Sequence, residues 1–474
     1  MNIHKIFVGL SLSALLVCTA CDDLLDVNTD PNNLDESTPA LTLPVAEVGL
    51  AARLESDYNV LGSMLAQYWT TGPTAPQYSN IDRYEITTND YSTAWLFMYS
   101  SVLSDLEFVK TAAMELEQPN YAVVAQLLQM YTFHLLVDMY DEIPFSDALQ
   151  GKNGNVTPVF DNGQSVYDQL IAKIDEALGW IDNSPIAVTP GAEDVIYGGD
   201  MELWQKFGNT LKLKIYIRQA IARPGVAQAG IEALYDAGAK FLEVGEEAKV
   251  PFSTTVHNEN TLWQELNQTS FQNLVASKTS IDTLLGAGDT RISKLYDESK
   301  EDGFVGLIQG IGTLDGGVFD DYARPNTTTI ISKTSPSYLI TGYESLFLQA
   351  EAAARNWSGE DDAALYNEAV LASFAFWGED GADFIKAGGV YEYDDQLSTI
   401  YYQKWLAFNG KQGFEGWTEW RRTGVPALEV SYQGVPLSNT FPLRLVWPVS
   451  ERSANPNVPA AKSVDTPVWW DTTF

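Results

Sequence analysis

Few side chains in this sequence are equipped to make or break bonds. There are 3 histidines and 2 cysteines in 474 residues. His134 lies in an apolar run beside Leu135 and Leu136, the setting of a core histidine, and His257 opens a polar stretch. No G-x-S-x-G elbow is present. Neither a G-x-x-x-x-G-K-[ST] loop nor an H-E-x-x-H helix occurs. With 63 acidic residues, neighbours such as Glu246-Glu247 and Asp320-Asp321 arise by chance and carry little weight as a glycosidase pair. Asp-rich turns such as residues 26–30 offer oxygen ligands for a structural calcium, but without EF-hand spacing. These residues point to a non-enzyme without a catalytic set, a cofactor or a dedicated metal site.

Binding chemistry is better represented. Sugars present apolar C–H faces and rings of hydroxyls, which proteins grip with flat aromatic rings, amides, carboxylates and guanidinium groups. Loops carrying both kinds of residue are the place to look. Three stretches qualify: one with Tyr78, Asn80, Asp82 and Arg83; one with Trp263, Asn267, Gln268 and Phe271; and one with Phe319, Tyr322 and Arg324 beside Gly316-Gly317. For each ring the alternative is that it packs its own loop onto the body, and Trp263 reads equally well as a helix-face core residue. Trp69 and Trp95 fall on periodic stretches and are read as core.

Both cysteines lie near the start. Lys5, an apolar run over 6–17 and the small-residue stretch Cys18-Thr19-Ala20-Cys21 have the layout of a secretory signal, too short to span a bilayer. Cys21 after Ala20 resembles a bacterial lipobox, although Cys18 stands where that motif usually has Leu. On this reading residues 1–20 are a leader, Cys21 carries the lipid, and residues 21–44 are a proline-marked tether. A lipid anchor needs no membrane-spanning helix, and no later run is read as one.

Loss of Lys5 with the leader takes the formal charge from −35 to −36. Such acidity argues against nucleic acid and anionic lipid surfaces as partners, since both demand basic patches. Hydrophobic residues at 45% and aromatics at 12% supply a large core, so the charge does not imply disorder. No Pro/Ser/Gly linker divides the chain, and residues 45–474 read as one domain.

Helical periodicity is expected over about 45–69, 91–118, 121–140, 165–181 and 204–222, with Ser165 and Asp168 as a capping box. The period is lost over about 239–336, where Gly, Thr, Asn and Asp accumulate, and returns over 341–356, 361–377 and 395–409. Stacked antiparallel helix pairs would bury these stripes, although no self-similar 34-residue repeat is visible. Near the C-terminus, Trp417, Trp420 and Arg421 share one helix face. They form either a ligand-binding cation–π cluster or a buried brace between helices, and the brace is the stronger reading.

The stretch QKWLAFNGKQGFEGWTEWRRTGVPAL, with PLRLVWPVSERSANPN at 442–457, resembles the C-terminal region of the SusD/RagB-like lipoproteins, more narrowly their second SusD-like subfamily. LVDMYDEIPFSDAL, YESLFLQAEAAARNW and LYNEAVLASFAFWG extend the match, which is weakest over 240–335. The resemblance implies a mainly α fold, in which tetratricopeptide-like helix pairs support a loop-rich irregular insert. It also implies a ligand gripped near the loop before an early helix and by that insert, and display on the outer face of the outer membrane. The expected function is capture of an oligosaccharide and its delivery to a SusC-like TonB-dependent transporter. Peptide capture by the same kind of lid, an exported glycoside hydrolase and a purely structural envelope lipoprotein are the rival readings.

Overall fold

The structure, a computed structural model, describes residues 37–433 and 440–474. The leader, Cys21, the 26–30 turn and most of the tether lie outside the described residues. The first helix, α1 (Pro39–Arg53), begins within the stretch expected to be tether, because Thr38 caps it and Pro39 occupies its first turn. It continues through a π-helical turn, Leu54–Tyr58, into α2 (Asn59–Leu65). The helix therefore ends before Trp69, which lies on strand β1 (Trp69–Thr71) and is fully buried.

Next come α3 (Ser92–Phe97), α4 (Ser104–Glu115), α5 (Pro119–Tyr140), α6 (Gly163–Leu178), α7 (Met201–Arg218) and α8 (Pro224–Asp236). Helix α6 starts two residues earlier than its expected capping box: Asn162 caps it, and Asp168 instead pairs with Arg223 at 2.5 Å. Helix α8 was not anticipated, because Pro224 reads as a stop when it is in fact the first residue of a new helix.

The irregular insert holds α9 (Thr261–Gln268), α10 (Lys278–Ala287) and short strands. These are β2 (Ala248–Val250), β3 (Leu274–Ala276), β4 (Tyr296–Asp297), β5 (Arg324–Pro325) and β6 (Ser337–Ile340). Three antiparallel pairs tie the insert down: β1 with β3, β2 with β6, and β4 with β5. Paired helices resume with α11 (Gly342–Ala354), α12 (Asp362–Phe376), α13 (Leu397–Phe408) and α14 (Gly413–Thr423).

Helix α5 is long and apolar enough to cross a membrane by length and composition, contrary to the sequence expectation, but all of its apolar window is buried inside the molecule. Two of its polar residues are satisfied there: Asn120 donates to the Asp182 carbonyl at 2.8 Å, and Gln126 to the Lys173 carbonyl at 2.8 Å. His134 is buried on this helix with Nε2 3.2 Å from the Tyr167 hydroxyl, and burial pulls its pKa down to about 4. Its Nδ1 has no partner among the described residues, so the histidine is core but only half satisfied.

Helix α14 is the brace. Arg421 lies 3.8 Å over the Trp417 ring and 4.9 Å from Trp470, and donates to the Asp138 and Leu443 carbonyls. Beside it a buried ion network joins five helices, α5, α7, α11, α13 and α14. Lys214 of α7 reaches Glu344 at 2.8 Å and Glu415 at 2.7 Å; Arg218 reaches Glu415 at 2.5 Å and Asp138 at 3.2 Å. Arg422 binds Glu351 at 2.6 Å and also Glu419, which Lys404 contacts at 3.1 Å.

The brace approaches α2 with backbones in contact. A Cβ on Gly62 would fall 2.2 Å from the Gly413 carbonyl, so only glycine fits. Gly62→Ala is expected to force the helices apart and to cost about 1–3 kcal/mol, the range for overpacking. Urea titration would read this as a lower midpoint at constant slope.

Candidate functional site

The β1–β3 pairing places the first candidate loop against the second. Trp69 faces Ala276 and Thr71 faces Leu274 across the ladder. The loop that leaves β1 is held by one buried carboxylate: Asp82 accepts from Thr70 Oγ1 at 2.9 Å, the Thr71 N–H at 2.7 Å and Gln309 Nε2 at 2.6 Å. Its own carbonyl accepts from Ser431 Oγ at 2.5 Å. At the same point Gly310 has φ +73°, and a Cβ there would sit 1.8 Å from Ser431 Oγ. Asp82, a candidate ligand contact by sequence, is thus the buried rivet of the site. Three donors engage its carboxylate and one its carbonyl, so its first role is to hold the loop.

On one side of this rivet lies a cleft of about 200 Å3 lined by Asp57, Gln77, Tyr78, Asn80, Asp90, Tyr91 and Glu265, among others. The Tyr78 hydroxyl donates to Glu265 Oε1 at 2.5 Å, and Asn80 Nδ2 donates to Asp90 at 2.9 Å. Arg53 pairs with Asp57 at 2.9 Å. Tyr84 and Tyr91 hold left-handed backbone, with φ of 60° and 58°, and so fix the ends of the loop. Burial raises the pKa of Glu265, opposed by the Tyr78 hydrogen bond and reinforced by Asp57. Burial likewise raises that of Asp57 against the pull of Arg53. The cleft therefore gathers carboxyl, amide and phenol groups in a partly dry space, a set suited to the hydroxyls of a polyol.

Asp82 itself borders a second recess of about 50 Å3, with Ser79, Arg83, Gly312, Thr313 and Gln433, among others. Arg83 points out of it enough to pair with Glu85 at 2.8 Å on the surface.

The remaining candidates are dispersed. Trp263 sits on α9, half-buried, with the Lys333 ammonium 4.5 Å from its ring centroid, so one ring face is already covered. Asn267 and Phe271 are exposed near the end of α9, Phe271 at 38%. Phe319 is buried with Val275 and Leu307, and Arg324 caps its ring at 5.5 Å while pairing with Asp297 at 3.5 Å. Tyr322 hydrogen-bonds Asp315 within its own loop. Phe319 and Arg324 are thus packing residues of the third loop, and none of Phe319, Tyr322 and Arg324 lines the cleft.

Tyr78 and Asn80 are the candidates that meet in the cleft. Its carboxylates, Asp57, Asp90 and Glu265, are not among the sequence candidates. Glu265 was within reach of the sequence: Asn260 caps α9, and the helix then turns Glu265 away from the face shared by Trp263 and Asn267.

The family model described as starch-binding, associating with the outer membrane, matches residues 31–448 of the chain. The chain belongs to the SusD-like family. No curated protein sequence matches it. Solved structures share the fold of this SusD-like protein. A SusD homologue from Bacteroides uniformis superposes with a TM-score of 0.77 at 23% identity, covering 91% of this chain and 99% of its own. A chitin-binding protein gives 0.76 at 21% identity, covering 92% and 100%. A chitin-binding SusD homologue from Flavobacterium johnsoniae gives 0.75 at 22%, covering 92% and 98%. The mainly α scaffold with its loop-rich insert is therefore that of SusD-like structures.

Proposed function

We propose that the protein is a cell-surface glycan-binding lipoprotein, anchored through Cys21, which captures an oligosaccharide and passes it to a SusC-like TonB-dependent transporter. The observation that carries this reading is the cleft in which Tyr78, Asn80, Asp57 and Glu265 converge on a SusD-like scaffold. The starch-binding description of the family and the chitin-binding names of two structural relatives support a glycan as the cargo. Capture and hand-over need no bond to be made or broken. The carboxyl groups of the cleft are engaged with Tyr78 and Arg53, as suits positioning rather than turnover.

Glycan and peptide arrays on the form that starts after Cys21 test this. Binding to one glycan class is expected, and Tyr78→Ala is expected to weaken it about 10-fold, the loss of roughly 1.4 kcal/mol of contact. Binding to peptides alone would shift the cargo to a peptide, and hydrolysis of a bound oligosaccharide would replace capture with catalysis.

A further inference from the structure

A groove larger than the loop cleft, about 640 Å3 in volume, lies between α6, α7 and α8. None of the residues lining the loop cleft lines it. One wall is a single face of α7: Glu202, Gln205, Asn209, Lys212 and Tyr216 recur at helical spacing, a polar ladder about 21 Å long. The opposite wall is built from small residues, Gly230, Ala233 and Ala237. Gly230 has a definite role, because a Cβ there would lie 2.2 Å from the Tyr216 ring. Glycine thus seats that ring against α8 while it stays partly exposed.

The ladder is not spent on the protein. Among the described residues the side chains of Glu202, Gln205 and Asn183 make no hydrogen bond, and Asn209 uses only its amide donor, on the Lys240 carbonyl at 3.0 Å. The groove's charges balance: Lys212 pairs with Asp175 and Lys206 with Glu246 at 2.7 Å, while Lys240 and Glu202 are one cation and one anion without an ion pair among the described residues. What remains for a ligand is amide hydrogen bonding, one carboxylate, one ammonium, an aromatic ring and flat alanine surface. That combination suits a neutral chain of hydroxyls. It suits an ion poorly, since the lining with its partner Glu246 has no surplus of either charge, and it lacks the pockets that seat alternate peptide side chains.

We propose that this groove is a second binding site for a neutral oligosaccharide strand, separate from the loop cleft. The inference rests on the glycan-capture reading and adds to it: a polymer held at two sites gains avidity without any new contact.

The test is calorimetric titration of the form that starts after Cys21 with maltoheptaose and chitohexaose. It compares the unmodified protein, Tyr78→Ala, the groove variant Gln205→Ala/Asn209→Ala and the groove-filling Ala237→Trp, all checked for unchanged thermal melts. The expected result is two binding events for one of the probes. Each groove variant should remove one of them, and Tyr78→Ala should weaken the other about 10-fold. One event that the groove variants leave unchanged overturns the groove site while the capture reading stands. Silence of the unmodified protein towards both probes overturns the capture reading and the groove with it. Binding of a peptide probe that Ala237→Trp abolishes overturns the assignment of the groove to glycans.

Discussion

Arg422→Ala is expected to destabilise the protein by about 3–5 kcal/mol, the cost of leaving buried partners without their counter-charge. The guanidinium is inaccessible to solvent, with its two nitrogens on Glu351 at 2.6 and 2.8 Å and a third contact, Nε to Glu419, at 3.2 Å. Truncation leaves these two carboxylates with Lys404, 3.1 Å from Glu419 and 3.9 Å from Glu351, with Arg355, 3.0 Å from Glu351, and with Arg218, 3.7 Å from Glu419. Arg422→Lys should recover only part of the loss, because an ammonium cannot reproduce the two-pronged contact. Urea denaturation reads the effect as a fall in the midpoint at constant slope. An unchanged midpoint would mean that the carboxylates are rescued by water, and the network would then not be the brace it resembles.

The same network sets an acid limit. Burial alone would raise the pKa of Glu415, but Lys214 and Arg218 outweigh it and hold the group at about 2. A lowered pKa means that the folded state binds fewer protons than the unfolded one over that interval. The stability due to Glu415 is therefore complete above its ordinary value near 4.5, and is lost as the pH falls towards 2.

The second large effect has the opposite sign. Glu47→Gln is expected to stabilise the protein by roughly 3 kcal/mol at pH 7. Glu47 is fully buried on α1, with Oε2 accepting from the Val195 N–H at 2.8 Å and Oε1 without a partner atom of its own. Burial, then the charge of Asp194, raises its pKa to about 10, against the pull of the Val195 N–H. The neighbouring Asp194 is occupied by the N–H groups of Ile196, Tyr197 and Gly199 and by the Trp204 indole. Glu47 is thus neutral when folded and ionised when unfolded from pH 4.5 upward. Its contribution is full below 4.5 and declines as the pH rises towards 10. Glutamine keeps the acceptor for Val195 and removes the titration. The gain in melting temperature should therefore grow from pH 5 to pH 9. A gain that is flat with pH would show that Glu47 is ionised in the folded protein.

The stretch 403–424 shows how far sequence reaches. Its indoles and Arg421 were legible as a buried brace, because their spacing puts them on one helix face and large rings favour burial. The partners were not legible. Glu351, Lys214 and Asp138 come from helices that periodicity locates but does not orient, so the ion network emerges only when the helices pack. Trp69 was read correctly as core but on the wrong element, since a three-residue strand is too short to show a period. The 22-residue α5 illustrates the converse: its composition would serve a membrane, and only the helices around it show that it is a core.

By itself, then, the sequence determined the helical scaffold, the loop-rich insert and the family, all properties of periodicity and of local motifs. It also named Tyr78 and Asn80 as candidates, because their loop carries rings and amides together, and the fold brings both into one cleft. Tertiary structure alone decided that Asp82 is a rivet, that Phe319 and Arg324 serve packing, and that Asp57 and Glu265 complete the cleft. The physical reason is that hydrogen-bonding capacity belongs to a residue type, whereas its availability depends on which distant donors folding brings to it. Asp82 meets Gln309 across 227 positions of chain, and no local pattern records that contact.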